Sequence, residues 1–248
     1  MSSAPEKKFL SLLTRELKAA SSEKMKLWST NYLKGTEHFL GTPLPAVKTI
    51  ALPLWKTIPQ DSELRLSIIH TLLKAKHSEI KVAGMILYQE RFMKDTKRRW
   101  TADLESFHEL FEAGTFNSWN ICDWMCLRVL GAILLTDPKK THRALASWMR
   151  SENPWTRRAS LVPHLSLLKK TREFDTNIIG LAEQLVAYPD RFNQTAVGWV
   201  IRELYKKQKE SATSFIMKNV QTLSPEGLRY CCEKMSPKEK EKILSLRN

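Results

Sequence analysis

The sequence predicts an all-α fold, a right-handed superhelical array of two-helix repeats with a concave basic groove. Three observations carry that expectation. Only 8 of the 248 residues are glycine while 42% are apolar, and the apolar positions recur at helical spacing rather than in alternation. A small residue returns at a near-constant interval along the chain. The balance of 40 Lys+Arg against 26 Asp+Glu leaves a net charge of +14, which suits a polyanionic partner, most commonly nucleic acid. An ordinary basic surface is the plainer explanation of the same charge. The length fits one large domain, and residues 1–248 are read as a single repeat domain without an internal boundary.

Residues 5–20 read as a first helix, with Phe9, Leu12, Leu13 and Leu17 on one face. Residues 22–34 read as a second, with Met25, Leu27, Trp28 and Leu33 turned inward. Gly41, Pro43 and Pro45 then mark a turn, and Pro45 suits the start of a new helix. From there a polar turn followed by a helix recurs. The turns are Lys76–Ser78, Phe116–Ser118, Glu152–Pro154 and Asp190–Arg191. The small residues that follow them are Ala83, Cys122, Ala159 and Ala196, spaced 39, 37 and 37 apart. A period near ~40 residues with two helices per unit is the signature of a HEAT-like array. Asn and Ser in these turns suit helix N-caps. Pro138, Pro154, Pro189, Pro225 and Pro237 fall where helices begin or stop, whereas Pro163 falls inside one and should kink it. The charged tail reads as a short last helix with a frayed end.

No run of apolar residues approaches the ~18 that a spanning helix needs, and the start of the chain does not read as a signal peptide. No membrane association is expected. Cys122, Cys126, Cys231 and Cys232 have neither C-x-x-C nor Cys/His zinc spacing. Free buried thiols in a reducing cytoplasm, that of a bacterium or its nucleoid, are the expectation. No metal site and no cofactor are expected. His38, His70, His77, His108, His142 and His164 are scattered and read as surface or packing residues.

Three segments could carry chemistry. Trp119 and Asp123 are four residues apart, so they share a helix face. Ile121, Cys122, Met125, Cys126 and Leu127 around them are apolar. An aspartate in such a run either pairs with a basic residue of a neighbouring repeat or faces a site. In the second segment Trp155 and Arg158 share a face behind the cap Asn153. An arginine so near a helix start opposes the dipole, which a phosphate or acidic partner would explain; Trp155 also reads simply as core. In the third, Trp199, Arg202 and Lys206 form one stripe, and Gly198 permits close approach of a backbone or a ligand. A packed tryptophan with solvated basic neighbours accounts for the same stripe. Together with Arg157, these basic and aromatic second helices would line a groove able to track phosphates.

These pieces, in this order, resemble the AlkD family of HEAT-like-repeat alkylpurine DNA glycosylases over about residues 25–207. They are the W-x-x-x-D at Trp119–Asp123, the N-x-W-x-x-R-A at Asn153–Ala159, the A-[IV]-G-W-V-[IL]-R-E at Ala196–Glu203 and the F-x-G-x-x-x-P at Phe39–Pro45. Where that family continues with an arginine this chain has Lys48, which removes a bidentate phosphate contact. The resemblance implies a glycosylase that excises cationic N3- or N7-alkylated purines, such as 3-methyladenine and 7-methylguanine, from duplex DNA. Asp123 matches the catalytic aspartate, Trp119 and Trp199 the aromatic pair flanking the sugar, and Arg158 an arginine on the DNA backbone. Trp155, Arg202, Lys206 and Lys48 are further DNA-binding candidates. The family also acts without a base-flipping pocket. The enzyme would be a monomer without a cofactor. Two readings compete with it: a non-catalytic DNA-binding array and a scaffold for an acidic protein.

Overall fold

The computed structural model describes residues 4–95 and 100–247. Among these, every regular element is helical, and the only strand-like pairing is an isolated bridge between His38 and His77. The chain divides into two compact units: residues 1–100 with 115–129, and residues 101–114 with 130–248.

The first unit begins with α1 (Ala4–Ala19), which buries Phe9, Leu13 and Leu17, and α2 (Glu23–Tyr32). It continues with α3 (Leu44–Trp55), α4 (Ser62–Leu73) and α5 (Ser78–Leu87). Helix α1 packs on α3 and α4, and α5 packs on both of those as well. Helix α2 departs from the sequence expectation. It buries no residue, and Leu27 and Trp28 are 62% and 61% exposed rather than turned inward. Leu33, just past its end, is buried as expected.

The segment after α2 is held by a single carboxylate. Glu79, in the first turn of α5, accepts the backbone N–H groups of Leu40 (3.0 Å), Gly41 (2.8 Å) and Thr42 (3.2 Å). Gly41 has φ +96°, and a β-carbon there would lie 2.4 Å from the Ser22 carbonyl oxygen. Only glycine fits such a backbone against such a neighbour.

The second unit includes α6 (Asp103–Glu112), and α7 (Trp119–Met125) follows in the chain as part of the first unit. A π-helical turn, Cys126–Leu130, leads into α8 (Gly131–Thr136). The resulting run, Trp119–Thr136, is 18 residues long and apolar enough to cross a membrane by length and composition. That corrects the expectation that no such run exists. The run carries Asp123 and Arg128 and has half its residues buried, as core helices of folded proteins do.

The second unit continues with α9 (Pro138–Ser147), α10 (Pro154–Leu161), α11 (Leu165–Leu168), α12 (Asp175–Leu185) and α13 (Arg191–Tyr205). It ends with α14 (Lys209–Asn219), α15 (Pro225–Cys231) and α16 (Pro237–Leu244). Pro163 interrupts the helix as expected, turning Val162–His164 into a 3-10 segment between α10 and α11. The tail helix starts with a capping box between Ser236 and Glu239. Gly198 on α13 serves close packing: a β-carbon there would lie 2.6 Å from the Gly227 carbonyl oxygen of α15. The approach is therefore to a backbone.

The recurring small residues all face the interior. Ala83, Cys122, Ala159 and Ala196 are fully buried on α5, α7, α10 and α13. Helices α7, α10 and α13 are capped by Ser118, Asn153 and Asp190. The four cysteines are free and buried.

One histidine pair makes stability depend on pH. His164 is fully buried in the 3-10 segment, its Nε2 3.0 Å from His142 Nδ1 and its Nδ1 3.2 Å from the Leu161 carbonyl. Burial, with the neighbouring His142, lowers its pKa to about 3, and burial lowers that of His142 too. Both folded values lie below the unfolded one, so the unfolded chain binds more protons in acid. The stabilisation by the neutral pair is complete above the unfolded pKa near ~6.5 and falls away below it. The urea midpoint should decline from pH 7.5 to pH 5, with up to about 1.4 kcal/mol lost per pH unit from His164. A constant midpoint over that range would show the pair to be protonated in the fold.

Candidate active site

Ser118 starts α7 by accepting the Ile121 N–H. Its hydroxyl also donates to Glu37, a buried carboxylate that receives the Ser78 hydroxyl as well. Glu37 therefore ties together the N-termini of α5 and α7. Lys81 reaches the Thr115 carbonyl at 2.5 Å, and burial lowers its pKa against the pull of Glu37. The start of α7 is in this way anchored from beneath, which fixes the direction of its first turns.

Ile121, Cys122, Met125 and Cys126 point into the core and are fully buried. Trp119 and Asp123 occupy the other side and are half-buried. Trp119 meets Tyr32 edge to face, with ring centroids 5.7 Å apart. Tyr32 in turn stacks on Trp28, with centroids 5.2 Å apart and planes 7° apart. The sequence reading missed this aromatic row. Its signal is the i, i+4 spacing of Trp28 and Tyr32 on one helix face.

Lys48 lies exposed on α3 and pairs with Glu90 at 2.7 Å. Glu90 also receives Arg128 at 3.4 Å, and Arg128 stacks over the Trp124 ring at 4.9 Å.

The remaining candidates belong to the second unit. Trp155 is half-buried and packs against Phe192 with centroids 4.5 Å apart. Arg158 is only 4% exposed, and its guanidinium donates to the Phe192 carbonyl. Arg157 donates to the Ser151 and Glu152 carbonyls, pairs with Asp190 and covers the Tyr188 ring. It is built into the fold. Trp199 is half-buried on α13. Arg202 on the same helix pairs with Glu203 and Glu233, and Lys206 pairs with Glu203 at 2.6 Å. Neighbouring cations hold the carboxyl of Glu203 below its ordinary range against the opposing effect of burial. In each unit, then, basic candidates already have acidic partners of their own.

A model of the family described as DNA alkylation repair enzyme matches residues 13–235. The chain belongs to that family. Among solved structures, a protein described as a predicted DNA alkylation repair enzyme from Enterococcus faecalis matches with a TM-score of 0.73 and 18% identity, covering 88% of this chain and 97% of that one. The protein smu.31 of Streptococcus mutans UA159 matches with a TM-score of 0.54 and 17% identity, covering 90% and 98%. At such identities the likeness concerns the fold. A comparison with curated proteins gave no match. As a member of the DNA alkylation repair enzyme family, the protein has a role in DNA repair and a DNA partner.

Proposed function

We propose that this member of the DNA alkylation repair enzyme family is a DNA glycosylase. It hydrolyses the N-glycosidic bond of cationic N3- or N7-alkylated purines in duplex DNA. The observation that supports the reading best is the stripe on α7. Asp123 and Trp119 stand side by side on a helix whose opposite side, Ile121, Cys122 and Met125, is fully buried, within a chain of the repair family.

The chemistry suits one carboxylate. An N7-methylated guanine already bears positive charge, so it leaves with the bonding pair as a neutral base without needing a strong acid. Breaking the bond to C1′ puts cationic character on the deoxyribose. Asp123 stabilises that charge and orients the water whose oxygen attacks C1′. The water proton is released, and the products are a free base and an abasic site. The indole of Trp119 offers its negative face to the same charge and excludes water from it. Trp199 takes the second aromatic position, and Arg158 holds the DNA backbone. Arg202, Lys206 and Lys48 add phosphate contacts, exchanging their internal acidic partners for DNA, and Trp155 adds a further DNA contact. The enzyme acts as a monomer in the cytoplasm.

The test is timed release of 7-methylguanine from methylated duplex DNA by the wild-type protein. Release above the spontaneous rate supports the reading. A protein that binds the duplex and releases no base would instead be a non-catalytic DNA-binding array.

A further inference from the structure

A cavity of about 470 Å³ lies within the second unit. Lys139, His142 and Arg143 of α9 line one side of it, and Glu173, Phe174 and Asn177, at the start of α12, line the other. It shares no residue with the α7 stripe.

The histidine pair sets the proton placement on the α9 side. His164 is fully buried, and burial keeps it neutral. Its Nδ1 lies 3.2 Å from the Leu161 carbonyl, which can only accept, so the one proton of His164 sits on Nδ1. Its Nε2 then carries the lone pair and accepts from His142 Nδ1 at 3.0 Å. A neutral His142 is left with an unprotonated Nε2. Among the described residues no group donates to that nitrogen. The edge contact with Phe174, centroids 6.0 Å apart, holds the ring from a second direction.

The charges around this nitrogen favour an anion. Arg143 is exposed and has no acidic partner among the described residues. Lys139 meets Glu173 only at 4.0 Å, with 81% and 63% of the two side chains exposed, so that pair is easily exchanged. Arg172, beside Glu173 in the chain, is engaged with Asp175 at 3.9 Å. Burial lowers the pKa of His142, so at neutral pH two cations and one carboxylate accompany an unprotonated nitrogen. The group that satisfies all of them has oxygens for the cations and an acidic O–H for the imidazole. Sulfate and phosphodiesters hold no proton near neutral pH. A phosphate monoester does, with its second pKa near ~6.

We propose that this cavity binds a phosphate monoester, whose oxygens accept from Arg143 and Lys139 while its remaining proton is shared with His142 Nε2. The site stands apart from the glycosylase reading and does not depend on it. The same chemistry is offered by the terminal phosphate of a DNA strand and by a small free monoester.

The full chain is titrated by calorimetry at pH 7.5 with methyl phosphate, dimethyl phosphate and sulfate. Two buffers of different ionisation enthalpy are used, so that the difference in heat counts the protons taken up. Methyl phosphate should bind at least about tenfold more tightly than the other two and take up close to one proton per site. Arg143→Ala should weaken it about tenfold and keep the proton uptake. His142→Gln, which retains an amide donor for His164, should abolish the uptake. Arg143 is exposed, so its variant should keep the wild-type melting temperature, checked by circular dichroism. Equal affinity for methyl and dimethyl phosphate, binding without proton uptake, or a folded Arg143→Ala that binds like wild type overturns the site. Duplexes with and without a 5′-phosphate separate the two sources. A preference for the phosphorylated end that is lost in Arg143→Ala assigns the site to DNA termini. Equal binding of both duplexes, with methyl phosphate still bound, assigns it to a free monoester.

Discussion

Replacing Asp123 by asparagine should lower the rate of 7-methylguanine release by at least about a hundredfold, some 2.7 kcal/mol of transition-state stabilisation. The two side chains have nearly the same shape, so the change removes a charge and little else. Asp123 is half-buried on α7, and a substitution of this kind at the protein surface shifts stability by about 0.5 kcal/mol or less. Affinity for undamaged duplex should also hold, because phosphate binding is the work of cations. The measurement is single-turnover base release, with enzyme in excess over DNA, alongside equilibrium binding to the same duplex. Retained excision would sink the catalytic role and favour the alternative already visible in the sequence, an aspartate kept for its internal partners. A loss of excision accompanied by lost stability would point to the same conclusion. The conserved shape makes the experiment sharper than Trp119→Ala, which would also delete the edge contact with Tyr32.

The helical frame was legible because its signals are local. Cap residues lie within three positions of the N–H groups they accept, and the small residues repeat at fixed intervals, so Ser118, Asn153, Ala83 and Ala196 could be placed from the chain alone. The Trp119–Asp123 stripe was legible for the same reason, as a matter of helical pitch. Helix α2 was misread because an apolar stripe looks the same whether it meets a core or solvent. Leu27 and Trp28 fit the inward pattern and are exposed nonetheless. Glu37 and Glu79 could not be read at all. Glu79 finds its partners 37 to 39 residues away in backbone N–H groups, and backbone leaves no mark in a sequence. Arg158 illustrates another limit. Its identity suggested a phosphate contact, while the fold gives its guanidinium the Phe192 carbonyl. Assigning it to DNA still depends on the family resemblance.

Glu79→Ala is the stability change with the largest expected effect. It would leave the N–H groups of Leu40, Gly41 and Thr42 without their acceptor in a buried place. An unsatisfied buried donor costs about 1–3 kcal/mol, and three are left, offset in part because a charge no longer has to be buried. A loss of about 3–5 kcal/mol in urea-derived stability is expected, which is a large share of the ~5–15 kcal/mol available to a typical domain. Water entering the vacated space would soften the loss, and a drop below about 1 kcal/mol would show that it does so fully. Glu79→Gln should fall between, since one oxygen remains to accept and the amide adds a donor with nowhere to go. The segment cannot recover by shifting, because Gly41 is held at positive φ against the Ser22 carbonyl. The same three donors fix Phe39 and Pro43 along the wall of a cavity in the first unit. That cavity, of about 360 Å³, is also lined by Trp28 and Tyr32, so the turn that Glu79 holds is part of its frame.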